Sequence, residues 1–200
     1  LHVDHHEIHA LVTDVVNKKF TLLDANDGGL GISYNEGNTW TQIKNGYITT
    51  QFYGIAKKPG ANEYIGGMQD NGTWQSPQGE NATLTSAYDD KIGGDGFEVL
   101  WHPLYPHRIL GSSYNNLFYI SNDGGLTWKK ADNGINQDGP FISRLSHSRS
   151  KPDIVFAVGS KGVFRHDNFA MGRYEWKTIP IGKGWTLNNT VTNQHIVRVS

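Results

Sequence analysis

The chain contains no cysteine, which excludes disulfide staples, thiolate metal sites and cysteine nucleophiles. It also lacks an excess of charge of either sign. Eighteen Lys and Arg against nineteen Asp and Glu leave a formal net charge of −1, so no basic patch suits a nucleic-acid backbone. No apolar run approaches the roughly 20 residues that a membrane helix needs. There is no initiator Met, no charged n-region and no apolar h-region at the start. Leu1 to His9 reads as the inside of a fold, which predicts either a removed signal or a segment of a longer chain. A 3.6-residue apolar periodicity is missing as well, which argues against helices.

What is present is packing material and turns. Aromatic residues make up 12% of the chain, six of them Trp, too many for a solvated tail. The 24 glycines predict many tight turns and hence many short strands. Two octets read S-x-[DN]-x-G-x-T-W: Ser33 to Trp40 and Ser121 to Trp128, 88 residues apart. Four apolar runs start at Ile8, Phe52, Phe97 and Ile142, at intervals of 44, 45 and 45. Each is followed by turn residues and further short runs. Four strands per unit of about 45 residues is the arithmetic of a β-propeller blade. The predicted fold is therefore all-β, a β-propeller segment over 1–200 with antiparallel four-stranded blades at about 8–51, 52–96, 97–141 and 142–189. A fifth blade is expected to start at 190–200, the whole being one piece of a larger propeller completed by residues outside it or by another chain.

The octets resemble the Asp-box of BNR-repeat propellers, a group that includes sialidases, xyloglucanase-type glycoside hydrolases and the sortilin ectodomain. Ser121 to Trp128 matches the box fully, and Ser33 to Trp40 has Asn35 in place of Asp. His2 to His6, Asn26 to Gly29, Gln69 to Gly72 and Gly93 to Gly96 further resemble a group of large exported bacterial propellers. That resemblance implies an exported protein, located extracellularly, at the cell surface or in the periplasm. The sialidase branch is disfavoured, because every arginine lies in the second half of the chain, from Arg108 onward, and no arginine triad is visible. The octets themselves read as structural. Asp123 can accept N–H groups of its own turn, Gly125 can adopt unusual backbone angles, and Trp128 can bury a large ring.

Strand order predicts where the chemistry lies. In a four-stranded antiparallel blade the turns alternate between the two ends, so the octets, in three-to-four turns, share one end. The Asp-rich motifs fall at the other. Asp4, His5, His6, Asp95 and Asp138 precede innermost strands and should ring the channel mouth. Asp27 and Asp70, with Gln69 and Asn71, sit in two-to-three turns on the same end. Asp27 and Asp70 have an alternative reading as ordinary turn formers. Four of the nine histidines lie in the first nine residues. In an extended strand Asp4 and His6 would point one way, His5 and Glu7 the other. Imidazole with carboxylate suits zinc or a related ion and equally a proton-transfer pair. No HExxH motif is present, no cofactor is required by the pattern, and calcium held by carboxylates and carbonyls is the other candidate ion.

Two functions fit these residues. One is a carbohydrate-binding propeller with glycoside hydrolase activity. It would use Asp70 and Asp95 as the catalytic carboxyl pair, with Asp4, His5, His6, Asp27, Gln69 and Asn71 as ligand-binding residues and Tyr53, Trp74, Trp101 or Tyr114 as stacking surfaces. The other is a non-enzymatic, sortilin-like scaffold whose polar rim binds a peptide or protein.

Overall fold

The computed structural model describes residues 1–43, 50–135, 139–159, 162–172 and 174–180. The expected fifth-blade start and Asp138 lie outside the described residues. Among the described residues, sixteen strands form four four-stranded sheets, each an antiparallel meander in chain order. The sole helical element among the described residues is a 3-10 turn at Tyr114–Asn116. The chain is all-β and built of β-propeller blades. It divides into two compact units, Leu1–Gln51 and Phe52–Ser200.

The first unit is one sheet: β1 (His5–Asp14), β2 (Lys19–Asn26), β3 (Gly29–Ser33) and β4 (Thr41–Gln42). Asp14 organises the β1–β2 turn by accepting the Asn17 backbone N–H at 3.0 Å and its side-chain amide at 2.7 Å. These two bonds hold its carboxyl below the ordinary range. Asn26 pairs with Gly29, leaving Asp27 and Gly28 as a two-residue hairpin turn. The alternation expected from Asp4 to Glu7 is interrupted, because the β1–β2 register shifts between His5 and Glu7. One extra residue there is a β-bulge, and it re-aims the side chains around it. The apolar side chains of β1, Ile8, Leu11 and Val12, are exposed.

The second unit holds three sheets. They are β5 (Phe52–Lys57) to β8 (Asp89–Ile92) through β6 (Tyr64–Met68) and β7 (Gly72–Gln75), then β9 (Val99–Trp101), β10 (Ile109–Ser112), β11 (Phe118–Ser121) and β12 (Lys129–Lys130), then β13 (Leu145–His147), β14 (Val155–Gly159), β15 (Gly162–His166) and β16 (Trp176–Pro180). The first strands of successive sheets are neighbours, β5 beside β9 and β9 beside β13. Burial on both faces explains the consecutive apolar residues Ile109 and Leu110 in β10. Ile109 packs with Ile65, Val99 and Trp101 on one side, and Leu110 packs with Phe118, Leu145 and Val155 on the other. Burying each such side chain contributes on the order of 1.5–3 kcal/mol.

The two octets fold alike. The Ser33 and Ser121 hydroxyls accept the N–H groups of Gly37 and Gly125 at 2.9 and 2.7 Å. Asn35 Oδ1 accepts the Thr39 N–H at 2.8 Å, and Asp123 Oδ1 accepts the Thr127 N–H at 2.9 Å. The indoles of Trp40 and Trp128 donate to the carbonyls of Gly37 and Gly125. One bond changes direction with the Asn-for-Asp difference: the Thr127 hydroxyl donates to Asp123 at 2.6 Å, whereas the Asn35 amide donates to the Thr39 hydroxyl at 2.8 Å. Desolvation works to raise the Asp123 carboxyl, but donors from Thr127, Ser121 and Leu126 outweigh it and bring it down to about 2. At the β9–β10 connection the buried His102 ring accepts the N–H groups of Leu104 and Tyr105 at 3.1 Å and lies 3.2 Å from Asp153. Burial holds His102 and His166 below the ordinary histidine range despite their acceptors.

Asp123→Ala removes the acceptor for three hydrogens and is expected to lower stability by about 1–2 kcal/mol in urea unfolding. Acidification should destabilise the chain in two windows. The buried histidines have depressed folded values, so their contribution is full above about pH 6.5 and is lost as pH falls below it. The Asp123 contribution is full above about pH 4 and is lost as pH falls toward 2. Urea midpoints measured across this range check both, and a midpoint unchanged between neutral and weakly acidic pH would contradict the histidine window.

Candidate functional site

Among the described residues, the side chains singled out in the sequence form two groups, one in each unit. In the second unit the β6–β7 turn lies against the link that enters β9. The Gly96 N–H donates to the Met68 carbonyl at 2.9 Å, and the Asp70 N–H donates to Asp95 Oδ1 at 2.8 Å. The approach is so close that a β-carbon on Gly67 would collide with the Phe97 backbone, and one on Gly54 would come within 2.6 Å of the Phe97 carbonyl oxygen. Asp70 has φ of +63°, the left-handed turn geometry that Asp and Asn tolerate best. The Asp70 backbone is thus tied to Asp95, one carboxylate oxygen of which is engaged in fixing the turn. Gly96 is glycine because the Gly72 backbone crosses it, while Gly93 faces open space.

The octet of this unit sits at the other end of its sheet. The Gly124 N–H donates to the His107 carbonyl in the β9–β10 turn at 2.9 Å, and the Gln75 amide donates to the Gly124 carbonyl at 2.8 Å.

Around Asp70 and Asp95 runs a chain of aromatic contacts. The Tyr53 hydroxyl lies 3.0 Å from Gln69 Oε1. The Tyr53 ring meets Phe97 edge-on at 5.5 Å, and Phe97 meets Phe141 in the same way at 5.5 Å. Phe141 and Tyr114 are near-parallel, 14° between planes and 6.4 Å between centroids. Tyr114 returns to the acidic link, since a β-carbon on Gly94 would lie 3.9 Å from its ring. Tyr114 and Phe141 are 41% and 37% exposed, whereas Phe97 is fully buried. Asn71 serves the turn: its carbonyl accepts the Trp74 indole N–H at 2.6 Å. Trp101 does not offer a stacking face. It is 5% exposed, lies in the core beside Ile65, and donates its indole N–H to the Pro106 carbonyl at 2.6 Å. Glu98, 3.1 Å from Arg144, and Phe141 belong to this end and carry no sequence signal beyond their residue type.

In the first unit the segment before β1 lies against the β2–β3 turn. The Asp27 N–H donates to the Asp4 carbonyl at 3.1 Å. The His6 imidazole contacts the Asp27 carboxylate, and the His2 ring lies 3.7 Å from Asp4. His5 instead rests on Asp24, with Nδ1 at 2.9 and 3.0 Å from its two oxygens. Asp24 is fully buried in β2 and also accepts the Asn26 amide at 2.6 Å. Burial pushes its carboxyl up, and the donors Asn26 and His5 together outweigh that and hold it below the ordinary range. His2 and Asn26 belong to the sequence motifs His2 to His6 and Asn26 to Gly29 without being expected site residues, and Asp24 lies outside every motif. Asp24 is the one with a signal there, a lone carboxylate inside the apolar run Phe20 to Leu23 and Ala25.

No protein-family profile matches the chain, and no curated protein does. Among solved structures it is similar to the GH74 enzyme of Niastella koreensis (14% identity, TM-score 0.48, 87% of this chain and 31% of that one). It is also similar to a functionally unknown protein from Desulfotomaculum acetoxidans (10% identity, TM-score 0.47, 89% and 56%). A third is YCF48 from Cyanidioschyzon merolae (15% identity, TM-score 0.42, 82% and 50%). The chain spans between 31% and 56% of the length of these proteins.

Removing the buried carboxylate by Asp24→Ala leaves His5 Nδ1 and the Asn26 amide without their acceptor. A loss of about 1–3 kcal/mol is expected from the one orphaned buried donor, the Asn26 amide, read from urea unfolding near neutral pH. A loss below about 0.5 kcal/mol would show that the pair contributes no more than an ordinary surface contact.

Proposed function

We propose that this chain binds a carbohydrate at the end of the second unit formed by the β6–β7 turn, the link into β9 and the Tyr114–Phe141 pair. The observation that carries this reading is the exposed, near-parallel Tyr114 and Phe141 rings set beside Asp95, Asp70 and Gln69. A sugar presents an apolar C–H face and a rim of hydroxyls. Flat aromatic faces suit the first, and carboxylates and an amide suit the second. The octet of this unit, Ser121 to Trp128, which resembles an Asp-box, is assigned a structural role at the opposite end of its sheet.

A second reading, hydrolysis, is supported by two acidic residues meeting in one turn contact, the Asp70 backbone N–H donating to the Asp95 carboxylate. Glycoside hydrolysis needs one carboxyl as acid and another as base or nucleophile, about 5–5.5 Å apart for retention and about 6.5–9.5 Å for inversion. A peptide-binding scaffold would use the same polar rim with no turnover.

A panel of β-glucan and xyloglucan oligomers, titrated by calorimetry and assayed for reducing ends, separates these readings. Binding is expected to weaken by about 10-fold or more in Tyr114→Ala and in Phe141→Ala, as loss of about 1.4 kcal/mol implies. Hydrolysis predicts turnover that disappears in Asp70→Asn and Asp95→Asn. The Asp70→Asn change suits the positive φ, so it isolates the charge. Oligomer binding that is unaffected by both aromatic variants, or no binding to any oligomer, would overturn the carbohydrate reading.

A further inference from the structure

We infer that β1 of the first unit is the contact strand of a two-fold dimer. A second copy of this chain lays its own β1 antiparallel along the outer edge, with the axis at Ala10. This assignment stands apart from the carbohydrate reading, which concerns residues of the second unit. β1 is the end strand of its sheet, in the order β1-β2-β3-β4, so the edge away from β2 has no strand partner among the described residues. A row of backbone N–H and C=O groups at such an edge is a template for another strand.

Length and exposure set this edge apart from the corresponding ones. β1 runs ten residues, whereas the other first strands, β5, β9 and β13, run six, three and three. Each of those three holds at least one buried residue, while every residue of β1 from His5 to Thr13 is exposed. Ile8, Leu11 and Val12 are 58%, 50% and 67% exposed, so apolar surface meets water on both faces of the strand. Covering it while pairing the edge is what strand addition achieves. Edges that proteins keep apart carry Lys or Pro, or are short or bulged. β1 contains neither Lys nor Pro. Its two register shifts lie toward its ends, between His5 and Glu7 and between Val12 and Asp14, and leave Glu7 to Val12 regular.

The order of side chains selects the occupant and the register. Backbone groups along a strand address its two edges alternately, so when an edge meets its own copy each residue faces one an even number of positions away. Pairing about Ala10 sets Ile8 against Val12, His9 against Leu11, Glu7 against Thr13 and His6 against Asp14, each of them twice. Apolar meets apolar, and the outermost pairs join opposite charges once His6 is protonated, since the Asn17 bonds keep Asp14 ionised. Neighbouring registers lack this match. Pairing about His9 opposes His9 to itself and Asp4 to Asp14, and like charges directly opposite are destabilising. Pairing about Ile8 sets Val12 against Asp4, and pairing about Leu11 sets Ile8 against Asp14. One set of residues supplies both halves of the contact, as a two-fold interface requires.

The test follows the full chain by analytical ultracentrifugation. An interface of this limited size predicts a reversible monomer–dimer equilibrium with a dissociation constant on the order of 10 μM, read over about 1–300 μM. Ala10→Lys sets two ammonium groups face to face at the axis and is expected to weaken the dimer at least about 10-fold. Val15→Lys, on an exposed residue beyond the strand, should associate as the parent does. The chain has no cysteine, so a single introduced thiol reads the register. Ala10→Cys should cross-link two copies under mild oxidation, because directly opposed residues bring their β-carbons to about 4.5–5.5 Å, near the span of a disulfide. Val12→Cys should not, since its counterpart lies four positions along the other copy, about 13 Å away. Circular dichroism checks folding, and should Ala10→Lys fail to fold, the two cysteine variants decide alone. A monomer at every concentration, a dimer indifferent to folded Ala10→Lys, or Val12→Cys cross-linking as efficiently as Ala10→Cys would overturn the assignment.

Discussion

Where a polypeptide link enters the first strand of a sheet, it lies against a neighbouring hairpin turn, and backbone hydrogen bonds join the two. In the first unit the bond runs from the Asp27 N–H to the Asp4 carbonyl. In the second it runs from Gly96 to Met68, and a sheet later from the Asn115 N–H to the Pro140 carbonyl and from the Asn116 N–H to the Ser143 hydroxyl. The contact leaves no room for a side chain there, which is why β6 carries Gly67 beneath the Phe97 backbone. Both groups of polar residues described above hang on this contact. Without it Asp70 would not reach Asp95, nor would Asp27 reach Asp4. The partners differ between units: in the first the link meets a turn of the sheet it enters, in the second a turn of the preceding sheet.

Carboxylates serve opposite purposes at the two ends of a sheet. Asp123 is saturated by the hydroxyls and N–H groups of its own octet, and the low value that results marks a charge used for folding. Local donors stabilise the ionised form so strongly that the group has little capacity to exchange protons near neutral pH. Asp95 gives one oxygen to the Asp70 N–H and stands beside exposed aromatic rings. The histidines divide in the same manner. His102 and His166 are buried and held neutral by their surroundings, whereas His2, His5 and His6 each meet a carboxylate near the β2–β3 turn.

Much of this was legible in the sequence. Short apolar runs, glycine-rich turns and the repeat of the octets specify four-stranded antiparallel sheets, because a period-2 strand and a tight turn are local properties. Alternation of turns between ends then places Asp70 with Asp95 and Asp27 with Asp4, since connectivity alone decides on which end a loop emerges. The bulge at His6 was not legible, because an extra residue is defined only against its partner strand. Trp101 read as a stacking surface and is core, because one residue type serves both purposes and only the neighbouring sheet tells them apart.

The sequence by itself determined the strand rhythm, the turn chemistry and the end of each sheet at which acidic residues emerge, all of which follow from interactions a few residues apart. Tertiary structure alone decided that Phe141 faces Tyr114 across 27 residues of chain and that Asp24 takes His5 rather than solvent. Those pairings depend on how separate segments come to lie side by side, and no local preference of the chain encodes that distance.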